Sequence, residues 1–191
     1  MALDDRLLLA SIATGDEGAL HELYQAYAPR LTRYLWHQLD GDPHAVEEAL
    51  QEVFIAVWRS AAGFRGEAKV ATWVYQIAHN AALSARRRQL RLSSLAQVPI
   101  PEPGEAPDGG ETQPACDDAV LDRLVLAEAL RQLSEKHREV LRLVAAEGFS
   151  LDEVARMLDI PSGTVKSRLS YARRALLRAL SAARDPEASH S

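Results

Sequence analysis

The sequence predicts an all-α chain in which two helical domains are joined by a flexible, acidic, proline-rich linker. Three observations predict it. Apolar residues recur at helical spacing on both sides of the chain's middle. No alternating apolar–polar run is long enough to build a sheet. Between about 93 and 118 the composition changes abruptly, to VPIPEPGEAPDGGETQPACDD, rich in proline and glycine, which reads as an extended tether. The expected layout is a first domain at 1–92, the linker at 93–118, a second domain at 119–184 and a frayed tail at 185–191.

Thr14-Gly15-Asp16-Glu17 fits a capping box. Leu20, Leu23, Tyr24, Tyr27, Leu31, Tyr34 and Leu35 follow at helical spacing, with Pro29 as a kink or break. Asp42-Pro43 is an N-cap followed by proline at the first helical position. That helix, 43–60, turns Val46, Leu50, Val53, Phe54 and Val57 inward. Residues 61–70, with Gly63 and Gly66, read as a loop. A third helix is expected from Thr72 to Arg88, burying Val74, Ile77, Ala78 and Ala81. Beyond the linker four helices are expected, at about 119–132, 135–147, 151–159 and 162–182, with Ser134 capping the second and Gly148 ending it.

The run SLDEVARMLDIPSGTVKSRLSYARRAL carries the sharpest signal. Ser150 and Glu153 form a capping box, and Leu151, Val154, Ala155 and Leu158 give an apolar face. Asp159-Ile160-Pro161 breaks this helix, since proline cannot donate a backbone hydrogen bond. The next helix buries Val165, Leu169, Ala172 and Leu176. Two short helices around a tight turn form a helix-turn-helix, which places a helix in the DNA major groove. From Val165 to Arg184 stand Lys166, Arg168, Arg173, Arg174, Arg178 and Arg184 without one acid. Lys166, Ser167, Ser170, Arg173 and Arg174 fall away from the apolar stripe, pairing groups for base edges with cations for phosphates. The competing reading is a solvated basic face on an ordinary hairpin.

The chain has 191 residues, 47% hydrophobic, and a net charge of −5. That charge is divided along its length: residues 1–67 hold 11 acids and 5 bases, residues 68–101 hold 5 bases and no acid. Residues 102–118 hold 6 acids and no base, and residues 119–184 hold 12 bases against 8 acids. Two positive segments in an acidic background imply weak long-range attraction to DNA and delivery by a partner. No apolar run spans a bilayer, and the acidic N-terminus does not suit a secretion signal, so a cytoplasmic protein without membrane insertion is expected. Cys116 is the lone cysteine, which excludes an internal disulfide. His79 and His137 stand isolated, no His/Cys/Asp cluster suggests a metal, and no glycine-rich loop suggests a nucleotide. No metal or other cofactor is expected.

In the first domain, Glu47, Glu48, Gln51, Glu52 and Ile55 share a second helix face, an apolar anchor among acids, suited to a basic partner. Phe64, Arg65, Lys69, Trp73, Tyr75, His79, Asn80, Arg86, Arg87, Arg88 and Arg91 interleave aromatics, amides and cations, the composition that holds single-stranded nucleic acid. The alternative puts Phe64 and Trp73 in the core and leaves the arginines solvated at a helix end.

With these motifs in view, LQEVFIAVWRSAAGFRGEAKVATWVYQIAHN resembles the core-binding and promoter-melting domain of bacterial sigma factors, and SLDEVARMLDIPSGTVKSRLSYARRAL their C-terminal helix-turn-helix. The two-domain layout is similar to the extracytoplasmic-function group of the sigma-70 family. The resemblance implies that Glu47, Glu48, Gln51, Glu52 and Ile55 dock on the clamp helices of the largest subunit of RNA polymerase core, the second domain sitting at the flap. It implies that Phe64, Arg65, Tyr75 and Asn80 contact bases of the opened minus-ten element, with Arg86, Arg87 and Arg88 on its backbone. Lys166, Ser167 and Ser170 would read the minus-thirty-five element, and Thr164, Arg168, Arg173 and Arg174 would hold its phosphates. The acidic linker would thread the polymerase's basic channel, standing in for nascent RNA. Promoter DNA and an anti-sigma factor are the further partners implied; catalysis belongs to the polymerase. Glu48 stands where the family has aspartate and Ala49 where it has a larger apolar residue. Gln76 and His79 replace basic residues, and Ser84 an acid. Two other readings remain: a stand-alone helix-turn-helix regulator, or a helical adaptor without DNA contact.

Overall fold

The computed structural model describes residues 4–96 and 118–184. Every regular element among them is helical, and the chain divides into two compact units, within 1–107 and 108–191. The expected linker therefore lies, apart from its ends, outside the described residues. At those ends helix runs further than the composition implies, to Ala96 on one side and from Asp118 on the other.

The first unit opens with a helix that periodicity did not pick out, α1 (Asp5–Ala13). Asp4 caps it, accepting from the Arg6 backbone N–H at 3.0 Å, and Leu8, Leu9 and Ile12 are buried. Its presence changes the reading of the next turn. Thr14 ends α1, its hydroxyl donating to the Ser11 carbonyl at 2.8 Å. Asp16, not Thr14, caps α2 (Glu17–Gln38) by accepting from the Ala19 N–H at 3.1 Å. Between them Gly15 takes φ +90°, which an L side chain rarely adopts.

Helix α2 runs unbroken across Pro29. Pro29 and Gln25, whose carbonyl loses its helical donor, both lie on the exposed face, while Tyr27, Ala28, Leu31, Tyr34 and Leu35 hold the helix into the core. Water can serve the orphaned carbonyl, so the proline is tolerated. Asp40 and Gly41, both at positive φ, turn the chain into α3 (Pro43–Ser60). A Cβ on Gly41 would come within 3.3 Å of the Trp36 ring, so glycine is needed here on two counts. Asp42 caps α3 through the N–H groups of His44 and Ala45, as the Asp-Pro pair predicts. Val46, Ala49, Val53, Phe54 and Val57 are buried, and Leu50 half-buried. A 3₁₀ turn (Ala61–Gly63) and a loop lead to α4 (Val70–Ala96), which packs along α3 and α2. Its inner face is Val74, Tyr75, Ala78, Ala82 and Ala85; Ile77 and Ala81 sit half-buried at its edges.

The second unit packs α5 (Asp118–Gln132), α6 (Glu135–Ala145) and α7 (Leu151–Leu158) against the long α8 (Ser162–Arg184). Val140, Leu143, Phe149, Val154, Met157, Val165, Leu169 and Ala172 form its core. Ser134 occupies the N-cap of α6, but its hydroxyl engages His137 Nδ1 at 2.7 Å rather than the helix backbone. No helix among the described residues is long and apolar enough to cross a membrane.

Helix α1 is fastened to α2 by the Tyr27 hydroxyl, which donates to the Asp5 carboxylate. Burial, reinforced by the Asp5 charge, pushes this phenol well above its ordinary pKa. The folded state then keeps a proton that the unfolded chain releases near pH 10, so this contribution to stability is present below that pH and is lost as pH rises beyond it. Tyr27→Phe is expected to cost about 1–2 kcal/mol at neutral pH and to flatten the loss of stability above pH 10. Urea unfolding followed by the fluorescence of Trp36, Trp58 and Trp73 checks both.

Candidate nucleic-acid and protein interfaces

The helix-turn-helix is held by its turn chemistry. Ser150 and Glu153 make the reciprocal capping box: the Ser150 N–H donates to Glu153 Oε2 at 2.8 Å, and the Glu153 N–H to Ser150 Oγ at 3.3 Å. Glu153 is buried, so the box also satisfies a carboxylate inside the unit. The helix ends by a mechanism different from the proline break expected. Asp159 adopts the left-handed region (φ 50°, ψ 49°), and the N–H groups of Ile160 and Asp159 return to the carbonyls of Ala155 and Arg156. This is a Schellman closure with aspartate in the usual glycine position. Pro161 then serves the following helix, its carbonyl accepting from Thr164 and Val165.

On α8, Lys166, Ser167, Ser170, Arg173 and Arg174 are exposed, while Thr164 and Arg168 are half-buried. Ser167 donates to the Thr164 carbonyl at 2.9 Å, leaving its oxygen's lone pairs to accept from a base. Arg174 and Arg178 lie back along the helix, their Nε atoms 3.4 Å from the carbonyls of Ser170 and Arg174. Tyr171, which the sequence reading passed over, stands on this face 47% exposed and stacks on His137 of α6, centroids 4.4 Å apart. His137 is therefore not isolated. Its spacing of four from Ser167 was the available signal for Tyr171.

In the first unit Glu47, Glu48, Gln51 and Ile55 are exposed on α3, and Glu52 half-exposed. Ile55, 49% exposed, borders an open groove of about 1100 Å³ between α2 and α3. Leu20, Tyr24, Gln51, Phe54 and Trp58 line it, with the Tyr24 ring tilted against Phe54, centroids 4.7 Å apart. Tyr24 shares the helical repeat of Leu23 and Tyr27, yet it is 43% exposed and lines this surface recess.

The aromatic and basic segment is divided by the fold. Phe64 and Trp73 pack at 5.3 Å and are each half-buried, and Arg65 and Asn80 are exposed. The loop is tied to α1 by Arg6, which donates to the Gly66 carbonyl at 3.4 Å. Tyr75 requires correction. At 1% exposed it is a core residue, packed on Tyr34 with the Arg30 guanidinium 5.9 Å over its ring, and no base can reach it in this structure. The arginines expected to line DNA are also largely engaged. Arg86 pairs with Asp40 at 3.4 Å, and Arg88 with Glu52 at 3.0 Å and Glu48 at 3.5 Å. Gln89 donates to Asp42 at 3.2 Å. Arg87 is exposed, with its Nε on the Leu83 carbonyl. No group of three His, Cys, Asp or Glu residues able to hold a metal occurs among the described residues.

Comparison with known proteins connects these surfaces. Residues 23–92 match the model of Sigma-70 region 2, and residues 123–176 that of Sigma-70, region 4. The ECF RNA polymerase sigma factor SigL of Mycobacterium tuberculosis is 33% identical over 172 residues, spanning 88% of this chain and 92% of the relative. The chain belongs to the extracytoplasmic-function sigma factors. As a sigma factor it directs RNA polymerase to promoters for transcription initiation. The ECF sigma-E factor of Escherichia coli K12 is 31% identical over 183 residues, 91% of this chain and 93% of that one. The fold is also that of CnrH in complex with the cytosolic domain of CnrY, with TM-score 0.63, 24% identity, and 94% of this chain and 99% of that one covered. The sigma factor RpoE of Bartonella quintana, solved with the anti-sigma factor NepR, gives TM-score 0.64 at 23% identity, covering 84% and 96%.

Ser150→Ala is expected to cost about 1 kcal/mol, because it removes the hydroxyl that accepts from the Glu153 N–H and donates to the Glu153 carboxylate, while the backbone half of the box remains. Faster hydrogen–deuterium exchange across residues 150–158, with exchange in α1–α4 unchanged, is the measurement that checks it.

Proposed function

We propose that this sigma factor works through three surfaces. Glu47, Glu48, Gln51, Glu52 and Ile55 dock on the clamp helices of the largest polymerase subunit, with the neighbouring apolar groove seating part of the same basic partner. Lys166, Ser167 and Ser170 read the minus-thirty-five element, while Thr164, Arg168, Arg173 and Arg174 hold its phosphates and the second unit sits at the flap. Phe64, Arg65 and Asn80 hold unpaired bases of the minus-ten element, with Arg87 on its backbone. Tyr75, buried against Tyr34, makes no base contact. Arg86 and Arg88 reach DNA only after giving up their carboxylate partners.

The observation that carries this reading is the division of charge. A chain of net charge −5 presents an acid-free recognition helix on one unit and an exposed carboxylate row around Ile55 on the other. A stand-alone regulator needs the first and gives no role to the second. Catalysis stays with the polymerase, and the chain acts in the cytoplasm, where promoter and core are found. Proteins of the same fold, CnrH and RpoE, are held by CnrY and NepR, which supports an anti-sigma partner here too. The channel-threading role of the linker rests on its six acids at 102–118, which lie outside the described residues except for Asp118.

Two outcomes test the assignment. Replacing Glu48 and Glu52 together by lysine abolishes co-purification with core polymerase, and undiminished retention removes α3 as the docking face. Lys166→Ala weakens holoenzyme binding to its promoter by about 1–3 kcal/mol and relaxes upstream sequence preference, measured by run-off transcription on a genomic fragment library.

A further inference from the structure

Arg88 links two surfaces that act on different partners. It is carried on α4 within the acid-free stretch 68–101, yet its guanidinium is turned onto α3. Nη1 lies 3.0 Å from Glu52 Oε1 and Nη2 lies 3.5 Å from Glu48 Oε1. Glu48 and Glu52 are four residues apart, so their carboxylates are neighbours on one helix face and repel unless a cation stands between them. Nη2 is shielded from water and makes no hydrogen bond among the described residues, where the charge that compensates it is that of Glu48. The side chains are 40%, 62% and 39% exposed for Arg88, Glu48 and Glu52. An ion pair this open to water is weak and exchanges readily.

The neighbouring contacts decide what moves. Arg86 is paired to Asp40 and Gln89 to Asp42, both in the turn between α2 and α3. The stretch of α4 that bears Arg88 is thereby pinned on either side. An incoming cation can take the two carboxylates by rotating one long side chain, without shifting the helix.

We propose that Arg88 is an internal counter-cation on the polymerase-docking face, displaced when a basic polymerase segment takes Glu48 and Glu52, and thereby released to a DNA phosphate. This rests on α3 being the docking face, as argued above. Without polymerase the pair neutralises one of the five cations of the acid-free stretch 68–101, which keeps the lone chain off DNA. With polymerase the same positive charge is returned to the nucleic-acid side. By linkage, DNA then strengthens polymerase binding by the factor by which polymerase strengthens DNA binding.

The test uses the full chain and purified core polymerase, with a random-sequence single-stranded oligodeoxynucleotide as the phosphate probe. Arg88→Gln tightens core binding about two- to fivefold, the range a half-exposed ion pair allows. It also lowers the salt slope of holoenzyme binding to the oligonucleotide by about 0.7, the value of one lost phosphate contact. Glu52→Gln raises the affinity of the chain alone for the oligonucleotide, and that gain disappears when Arg88→Gln is added. Circular dichroism melts of each variant confirm that the comparison is between folded chains. Unchanged or weakened core binding by Arg88→Gln overturns the proposal, as does a Glu52→Gln gain that persists without Arg88. If the Glu48/Glu52 lysine variant still binds core, the docking face itself is wrong; if it fails to bind while Arg88→Gln binds as the parent does, only the counter-cation role falls.

Discussion

A chain of net charge −5 that must touch a polyanion can do so only by sorting its charges, and most of the structure follows from that constraint. Attraction to DNA at physiological salt is local, since screening removes most of the field beyond about 8 Å. What matters is therefore which charges stand on one face without a neutralising neighbour. Helix α8 achieves this by composition, with no acid between Val165 and Arg184. The first unit does the opposite. Its fold lays the basic end of α4 against the acidic turn and acidic face of α2 and α3, so that Arg86 and Arg88 are answered by Asp40, Glu48 and Glu52.

The two units also differ in how their proposed nucleic-acid surfaces are supported. In the second, a short helix is fixed at both ends by backbone-directed bonds, the Ser150/Glu153 box at its start and the left-handed Asp159 closure at its end. Val154, Met157 and Leu158 then seat α7 against α8, setting the angle at which Lys166, Ser167 and Ser170 leave the protein. In the first, the loop carrying Phe64 and Arg65 is short of regular structure. It is steadied from outside, by α1 through Arg6 and Gly66 and by the packing of Phe64 on Trp73. The surface proposed to accept unpaired bases is thus held by contacts at its margins.

The parts of this molecule that were legible in advance are those set by local rules. The Asp42-Pro43 start of α3, the Ser150 capping box and the apolar stripe of Val165, Leu169, Ala172 and Leu176 depend on residues within a turn or two of one another, and each is found, with Leu176 half-buried at the end of the stripe. The misses share a different cause. Thr14 and Asp16 were both able to cap, and the choice fell to Asp16 because α1, held by buried Leu8, Leu9 and Ile12, uses Thr14 for its own end. Pro29 did not end α2 because tertiary burial on the opposite face outweighs one lost hydrogen bond. Tyr75 looked like a stacking platform among amides and cations, but its register on α4 points it at Tyr34 rather than at solvent.

Sequence alone determined the helical class, the two-part layout, the helix-turn-helix and the unequal distribution of charge, because periodicity, capping and composition act over distances that the chain order already specifies. Tertiary structure alone decided which of the charges are free. Residue 88 lies more than thirty positions along the chain from residues 48 and 52, and only the packing of α4 on α3 brings the guanidinium to 3.0 Å from Glu52. Coulomb interaction depends on that distance and on exposure to water, and neither can be read from the order of residues.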